Sequence, residues 1–403
     1  MCTPFSPFYK IPNPHIIAYH HSPNPFPPTS QRSFLSAKVI DFSTLTMELI
    51  SGLPEDVARD CLIRVSYQEF PTVASVCRLW KSQIHAPEFH RQRRTTGHAQ
   101  NVMLMVQAKV EPGTASTKRV TNPVYRLSVF EPQTGNWAEL PGPPEFNSGL
   151  PMFCQVVGVG YDLVVLGGLD PNSWKASNSV FVYNFLSAKW RRAACMPGGP
   201  RTFFACAASD SHATVFVAGG HDNEKNALRS ALAYDVSSDC WIPLPDMAAE
   251  RDECRGVFRR GRFFVVGGYP TDAQGRFEKS AEAFDPATWR WGEVKDGFLD
   301  CATCPRTFVD GGDGDGEGAY LCVGGELMAM RRDTWQRIAA VPGDVCNVAY
   351  IGALDGTLVV IGSSGYGEVH VAYAFDAKSC NWRKLETPEA FRGHVQTGCV
   401  LEI

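Results

Sequence analysis

Two short motifs in the chain contain residue types that could bind a metal ion. Acidic residues and glycines alternate from Asp313 to Gly318, which imitates the start of a calcium loop. The position where such a loop needs its bidentate glutamate holds Gly324, so a solvated hairpin loop is expected instead. Cys301 and Cys304 have the spacing of zinc ligands, but no second pair follows at the required distance. The sequence therefore predicts neither a metal site nor a cofactor.

Arginine recurs shortly after four of the tryptophans in the chain. Guanidinium groups form forked hydrogen bonds with carboxylates, so converging arginines are suited to hold an acidic group of another protein. We predict that these side chains bind a target; the alternative is that they pair with carboxylates such as Asp235 or Asp285, or with carbonyl groups. The four residues are Arg201, Arg251, Arg306 and Arg392.

Six tryptophans, 44 to 53 residues apart, mark an internal repeat after residue 100. Five of them follow an aromatic residue by seven positions, and Met328 holds this place before Trp335. Turn-forming residues separate the two, and an apolar strand that ends in Gly-Gly precedes most units. A repeat of about fifty residues is typical of a propeller blade, because a small sheet buries both faces only when its neighbours stack on it. The six are Trp137, Trp190, Trp241, Trp291, Trp335 and Trp382.

These repeats predict a mainly β fold in which residues 95–403 form a six-bladed β-propeller. The first unit has no innermost strand ahead of Asn101, whereas an additional strand at residues 394–401 follows the last tryptophan. The C-terminal strand should therefore complete the first blade and close the ring. The four arginines precede the proposed innermost strands, so we expect them to converge at one mouth of the central channel.

A helical region precedes the propeller at residues 47–94. It begins at Leu53–Asp56, where a proline and two acidic residues suit a helix start. Val57, Cys61, Leu62 and Val65 then lie on one apolar stripe, and the pattern predicts three short helices. About forty-five residues cannot bury a large core alone, so part of the apolar surface is expected to contact a partner.

Composition excludes several classes of function. The 403 residues carry 38 basic and 42 acidic side chains, a formal net charge of −4, which disfavours nucleic-acid and anionic-membrane binding. No apolar run approaches the roughly 18 residues of a transmembrane helix. The 14 cysteines mostly lie in apolar segments, which fits a reducing compartment. Residues 1–46 contain eight prolines and one acidic residue, Asp41, and are predicted to be a disordered extension of a domain that begins near Met47.

The repeat resembles the kelch motif, in which an apolar strand and a double glycine precede an aromatic residue and a tryptophan. Val164–Gly168 and Phe263–Gly268 carry this pattern. The pattern is degenerate in three units: the first lacks the double glycine, the fifth has Met328 in place of the aromatic residue, and the sixth has Gly362-Ser363.

The helical region resembles an F-box at Leu53–Val57, Cys61–Val65 and Val76–Lys81. An F-box followed by a kelch propeller is similar to the plant kelch-repeat F-box family. Residues 47–89 are similar to the subgroup implicated in turnover of phenylalanine ammonia-lyase and of cytokinin response regulators.

This resemblance implies a substrate-recruiting adaptor of a Skp-cullin-F-box ubiquitin ligase, in the cytoplasm, the nucleus or both. The F-box would dock a Skp-type linker, and the propeller would bind the protein to be degraded. The chain has neither a RING-type Cys/His array nor a P-loop, so it is not expected to transfer ubiquitin itself. Eight residues match family positions that support the F-box or its docking: Leu53, Pro54, Val57, Leu62, Ile63, Val76, Leu79 and Trp80.

Two alternatives remain. A kelch scaffold without a ligase role would bury the face of the helical region against the propeller. A copper oxidase would need tyrosine and histidine ligands that converge on the propeller axis. The sequence offers no convincing pairing of suitable tyrosines with the available histidines, which are His98, His212, His221, His370 and His394.

Overall fold

The chain folds as a group of short helices followed by strands. The computed structural model describes residues 48–110, 123–146, 148–209, 213–312, 317–354 and 356–403. The proline-rich extension predicted for residues 1–46 and most of the calcium-like loop lie outside these residues. Residues 48–403 form one compact unit. Within the described residues, no helix is both long and apolar enough to span a bilayer.

The described residues contain four α-helices, one more than the three predicted. They are α1 (Glu55–Ile63), α2 (Phe70–Val76), α3 (Arg78–His85) and α4 (Pro87–Thr95), with a 3₁₀ turn at Tyr67–Glu69. Pro54 flanks α1, and two acidic residues occupy the first turn, where the helix dipole favours negative charge. The segment that begins at Pro87 is a complete helix because proline fits the first helical position and Glu88 lies in the first turn.

The first half of the propeller contains three blades, each a four-stranded antiparallel sheet. The first blade contains β1 (Asn101–Ala108), β2 (Tyr125–Glu131) and β3 (Asn136–Leu140). The second contains β4 (Gln155–Val159), β5 (Asp162–Leu166), β6 (Val180–Asn184) and β7 (Lys189–Ala193). The third contains β8 (Ala205–Ala208), β9 (Thr214–Ala218), β10 (Ala231–Asp235) and β11 (Cys240–Leu244).

Three more blades bring the sheets in the described residues to six. The fourth contains β12 (Arg255–Arg259), β13 (Arg262–Val266), β14 (Ala281–Asp285) and β15 (Arg290–Trp291). The fifth contains β16 (Val309–Asp310), β17 (Glu317–Val323), β18 (Glu326–Arg331) and β19 (Thr334–Ala340). The sixth contains β20 (Asn347–Leu354), β21 (Thr357–Ser363), β22 (Val371–Asp376) and β23 (Asn381–Leu385).

The last strand, β24 (Val395–Glu402), pairs antiparallel with β1 and supplies the inner strand of the first blade. Leu104 is opposite Cys399, and Val102 is opposite Leu401. The inner strands β24, β4, β8, β12, β16 and β20 adjoin one another around the channel. The two ends of the propeller sequence thus close the ring by strand pairing.

Five of the six tryptophans donate an indole hydrogen bond to the neighbouring blade, whereas Trp382 Nε1 has no partner among the described residues. Each lies on the outer strand of its blade, and the indole Nε1 of Trp190 donates to the Pro141 carbonyl of the preceding blade at 2.7 Å. Trp241 makes the equivalent bond to the Ala194 carbonyl at 2.8 Å. Apolar clusters fill the space between blades, with Tyr234 fully buried beside Trp241. Stacked blades therefore bury what one sheet would leave exposed.

The fifth blade corrects one sequence assignment. Trp335 is opposite Met330, not Met328, which pairs with Arg337. The hairpin turns through Arg332 and Asp333, both with positive φ (49° and 60°), so only a two-residue turn separates the strands. The spacing of seven positions, which assumes a longer turn, does not apply here.

The double glycines bring two loops together in the second, third and fourth blades, whereas Gly324 and Gly325 of the fifth blade form the turn between β17 and β18 and have no atom within 4 Å of their Cβ positions. The second glycine of three pairs, Gly168, Gly220 and Gly268, has φ between 80° and 90°. A Cβ atom on Gly220 would lie 2.2 Å from the Thr202 carbonyl oxygen, and one on Gly268 would lie 2.6 Å from that of Asp252. Glycine is required at these positions both for its conformation and for its lack of a side chain.

Candidate functional site

One face of the helical region is packed on the propeller. The Tyr67 hydroxyl donates to Glu131 at 2.8 Å, and the Phe70 ring contacts the Tyr161 ring edge-on with centroids 6.0 Å apart. Tyr67 also contacts Phe185. Glu131, Tyr161 and Phe185 all lie at the turns on one end of the strands. The helical region therefore covers part of that end of the propeller.

Arg93 on α4 stabilises this contact between the helical region and the propeller. Its side chain is 1% exposed and its guanidinium donates to the carbonyls of Ile63 and Val65, just after α1. It also donates to the Ile403 carbonyl at 3.4 Å and lies 4.9 Å from the centroid of the Phe70 ring. One buried cation thus joins three helices to the last strand of the propeller.

Another surface of the helical region remains open to solvent. Leu53, Val57 and Val76 are 37%, 44% and 58% exposed, and Pro54 is also exposed. We call these four residues the docking patch. Exposed apolar side chains cost solvation free energy, and exposed apolar surface is typical of protein-binding sites. The scaffold alternative requires this surface to be buried against the propeller, and the structure leaves it open.

The other four residues matched to the F-box are buried or partly buried in the core. Leu62 and Ile63 are 3% and 5% exposed, so they pack in the core and cannot contact a partner directly. Leu79 and Trp80 are partly buried against the same core. The Trp80 indole Nε1 donates to the Leu49 carbonyl at 2.5 Å, which fixes α3 beside the segment that precedes α1.

The prediction that four arginines converge on a target is wrong for Arg201 and Arg251. They are 2% and 1% exposed. Arg201 donates to the Gly219 and Ser230 carbonyls at 3.3 and 3.2 Å. The equivalent Arg251 donates to the Gly267 carbonyl at 2.9 Å and pairs with the buried Glu282 at 3.1 Å. Both arginines satisfy polar groups left by the double-glycine turns, as the carbonyl and carboxylate alternative predicted.

Arg306 and Arg392 are exposed. Arg306 donates to the Val348 carbonyl at 3.1 Å, and Arg392 donates to the Thr387 carbonyl at 2.9 Å. Neither takes part in an ion pair within the part of the chain that the structure describes. They lie before β16 and β24, at the end of the strands opposite the helical region. We call the residues just before the inner strands, together with the loop that ends at His370, the channel mouth.

Three residues of the channel mouth adopt a left-handed backbone conformation. Phe153, Phe203 and Glu253 hold equivalent positions before β4, β8 and β12, with φ of 56°, 55° and 49°. This conformation is rare for bulky side chains. The rings of Phe153 and Phe203 lie 4.4 Å apart, and Phe203 stacks on His221 at 5.4 Å. The sequence pattern gave no signal for these residues, because φ > 0 is normally expected only of glycine.

Two histidines complete the channel mouth. The rings of His370 and His394 lie 5.4 Å apart, and the Tyr125 hydroxyl lies 3.4 Å from His394 Nδ1. His370 is 8% exposed, and its Nε2 has no hydrogen-bond partner among the described residues. Burial lowers the pKa of His370 to about 4, and the nearby His394 and Arg306 act in the same direction. Burial also lowers the pKa of His394, again with a contribution from Arg306.

The cluster of Tyr125, His370 and His394 is relevant to the alternative that the protein is a copper oxidase. The structure does bring a tyrosine to two histidines, a pairing that the sequence did not indicate. The adjacent Arg306 disfavours a cation there, since it already resists protonation of both imidazoles. The described residues contain no group of three or more His, Cys, Asp or Glu side chains placed to hold a metal. Burial raises the pKa of Cys301 and Cys304, which keeps these thiols protonated.

A second arrangement has the order of a catalytic triad. Thr202 Oγ1 lies 2.9 Å from His221 Nε2, and His221 Nδ1 lies 2.9 Å from both Asp252 carboxylate oxygens. The Thr202 side chain is fully buried, so its hydroxyl cannot reach a substrate. The three side chains instead link the third blade to the fourth.

The sequence matches known families in both regions. Residues 50–92 match the F-box domain, and residues 152–197 and 200–248 match the Kelch motif. The chain is 51% identical over 364 residues to the F-box/kelch-repeat protein At1g80440 of Arabidopsis thaliana, covering 89% of this chain and 100% of the relative. It is 51% identical over 363 residues to F-box/kelch-repeat protein At1g15670 of the same plant, with the same coverage. F-box/kelch-repeat protein SKIP20 of Arabidopsis thaliana is 31% identical over 399 residues, covering 85% of this chain and 94% of the relative.

Proposed function

The chain belongs to the plant F-box/kelch-repeat family, and from this membership we propose that it delivers one specific protein to a cullin ubiquitin ligase. The F-box and kelch repeats together indicate a substrate adaptor of the Skp-cullin-F-box type. An F-box implies binding of a Skp-type linker, and kelch repeats imply binding of a protein substrate. The family name describes an adaptor and not a catalyst.

The observation that carries the proposal is the division of the helical region into two surfaces. Arg93, Tyr67 and Phe70 hold one surface on the propeller, whereas the docking patch of Leu53, Pro54, Val57 and Val76 faces solvent. A linker bound to that patch would be held at a fixed position relative to the propeller. The adaptor would then act by proximity, because a tethered target meets the charged carrier enzyme at a high effective concentration.

The target we propose is phenylalanine ammonia-lyase or a cytokinin response regulator. The support is the similarity of residues 47–89 to the subgroup that acts on these proteins. Degradation of phenylalanine ammonia-lyase would lower phenylpropanoid biosynthesis. We place the protein in the cytoplasm, the nucleus or both, since the cysteines of the described residues are all free thiols.

Affinity capture from plant extract tests this proposal. The intact chain should retain the linker, the cullin and one of the two named targets. A variant with Leu53→Asp and Val57→Asp should lose the linker and cullin but keep the target, because these residues lie on the helical region. If the folded intact chain captures no linker, the adaptor role is wrong. If it captures linker and cullin but neither named target, only the assignment of the target is wrong.

A further inference from the structure

The channel mouth has two chemically different halves. In ring order, the fifth, sixth and first blades contribute Arg306, His370, and the pair Arg392 and His394. The second and third blades contribute Phe153 and Phe203, which are partly exposed, and the fourth contributes Glu253, whose carboxylate accepts a hydrogen bond from the Tyr269 hydroxyl at 2.8 Å. The main-chain amide of Phe153 donates to Gln396 Oε1 on β24 at 2.7 Å, so the two halves adjoin at this point.

The basic half presents donors without an acidic partner. The guanidiniums of Arg306 and Arg392 bond to carbonyls of the chain and to no carboxylate within the described residues. Beside them, the Nε2 atom of the buried His370 is also unpartnered there. An unmet buried polar atom costs about 1–3 kcal/mol, and a neutral imidazole Nε2 donates or accepts a hydrogen bond according to its tautomer, so this atom is a polar contact of either kind for a ligand that reaches it. In the sequence, Asp310, Glu368 and Glu389 are acidic residues close to these side chains, and Glu253 of the fourth blade is the acidic residue of the mouth itself.

The aromatic half stores backbone strain. A non-glycine residue in the left-handed region costs about 1–3 kcal/mol, and the chain bears this cost at both Phe153 and Phe203. Phe203 directly follows Thr202, whose carbonyl oxygen lies 2.2 Å from the Cβ position of Gly220. Glycine at position 203 would avoid the strain but would also remove the ring that contacts Phe153 and His221.

We propose that the channel mouth binds an acidic segment of the target protein that carries a bulky apolar side chain. The acidic groups lie against Arg306, His370, Arg392 and His394, and the apolar side chain stacks on Phe153 and Phe203. Charge complementarity selects this occupant, because the basic half would repel a basic segment and leave a neutral one without partners for the guanidiniums. This inference rests on the proposed function and specifies the class of target segment.

Selection of random short peptides on the intact chain tests the inference. The enriched sequences should combine acidic residues with a bulky apolar residue. Charge reversal at Arg306→Glu and Arg392→Glu should weaken the selected peptides about tenfold or more, whereas Arg260→Glu, in the turn at the opposite end of the propeller, should not. The inference is wrong if no acidic sequences are enriched, or if affinity survives both reversals.

The strained ring has its own test. Phe203→Gly relieves the backbone strain but removes the contacts of the ring with Phe153 and His221, and it should weaken the selected peptides about tenfold in a chain that urea titration shows to be folded. Phe203→Tyr keeps the ring and should retain binding. Unchanged peptide affinity in the glycine variant would overturn the role of the ring. Linker capture by these variants is measured in parallel: if the linker binds and the peptides ignore the mouth, the inference fails and the adaptor function stands.

Discussion

At the scale of single residues, the buried ion pair of Arg251 and Glu282 fixes the segment that connects the third blade to the fourth. Both side chains are at most 1% exposed, and Glu282 also accepts the main-chain N–H groups of Ala248 and Ala249 at 2.7 and 3.3 Å. Removing one partner leaves a buried charge without compensation. We expect Arg251→Met to lower the free energy of unfolding by about 3–5 kcal/mol in urea titrations.

A double variant provides the control for this pair. Arg251→Met with Glu282→Gln removes both charges, so it should recover part of the stability lost in the single variant. Equal stability of the single variant and the wild type would show that the pair does not hold the blades together.

His370 should make the fold sensitive to acid. Its pKa is about 4 in the folded protein against 6.5 for the free side chain, because burial first and then His394 and Arg306 oppose its protonation. Between these two pH values the unfolded chain binds a proton that the folded chain does not, so stability falls as the pH falls. The loss should reach about 3 kcal/mol near pH 4.

The measurement compares urea titrations of the wild type and His370→Asn at several pH values. His394, His90 and His85 shift in the same direction and remain in both proteins, so only the difference reports on His370. The variant should show a shallower decline between pH 6.5 and 4. Parallel curves for the two proteins would refute the prediction.

The double-glycine turn is the element that shapes the second, third and fourth blades at the mouth. Gly220 and Gly261 both have positive φ, 80° and 73°, but only Gly220 faces another loop, with the Thr202 oxygen 2.2 Å from its missing Cβ. Gly261 has no atom within 4 Å of that position. Alanine should therefore destabilise the protein more at position 220 than at position 261, by at least about 1–3 kcal/mol in thermal or urea unfolding. Equal losses would mean that backbone conformation alone requires these glycines.

Some features of the fold could be predicted from the sequence and others could not. The spacing of tryptophans and glycines reports strand pairing, and it correctly indicates six blades, since each blade repeats the same contacts. The assignment of Met328 was wrong because turn length is not visible in that spacing. For Arg201 and Arg251, the sequence indicated where an arginine recurs in the repeat but not that its side chain is buried. The left-handed Phe203 has no sequence signal, since only surrounding contacts impose its conformation.

At the scale of the whole molecule, Arg93 sets how the helical region sits on the propeller. Arg93→Ala would leave the carbonyls of Ile63 and Val65 without their donor, at a cost of about 1–3 kcal/mol each. Hydrogen exchange should then rise in α1 and α4 while the inner strands stay protected. Arg91→Ala is the matched control, because Arg91 is exposed and its ion pair, among the described residues, is with Glu88 on the same helix. If hydrogen exchange in α1 and α4 is no faster in the Arg93 variant than in the Arg91 variant, this role of Arg93 is contradicted.

Direct titration of the purified intact chain with a Skp-type linker tests the central claim. The wild type should bind, and Val57→Asp should weaken binding about tenfold or more, because it places a charge in the docking patch. Ile242→Asp is the matched control: Ile242 is 46% exposed on the propeller and Val57 is 44% exposed on α1. The account predicts that this control binds like the wild type. It would be contradicted by a folded wild-type chain that does not bind the linker, or by a Val57→Asp chain that binds it unchanged.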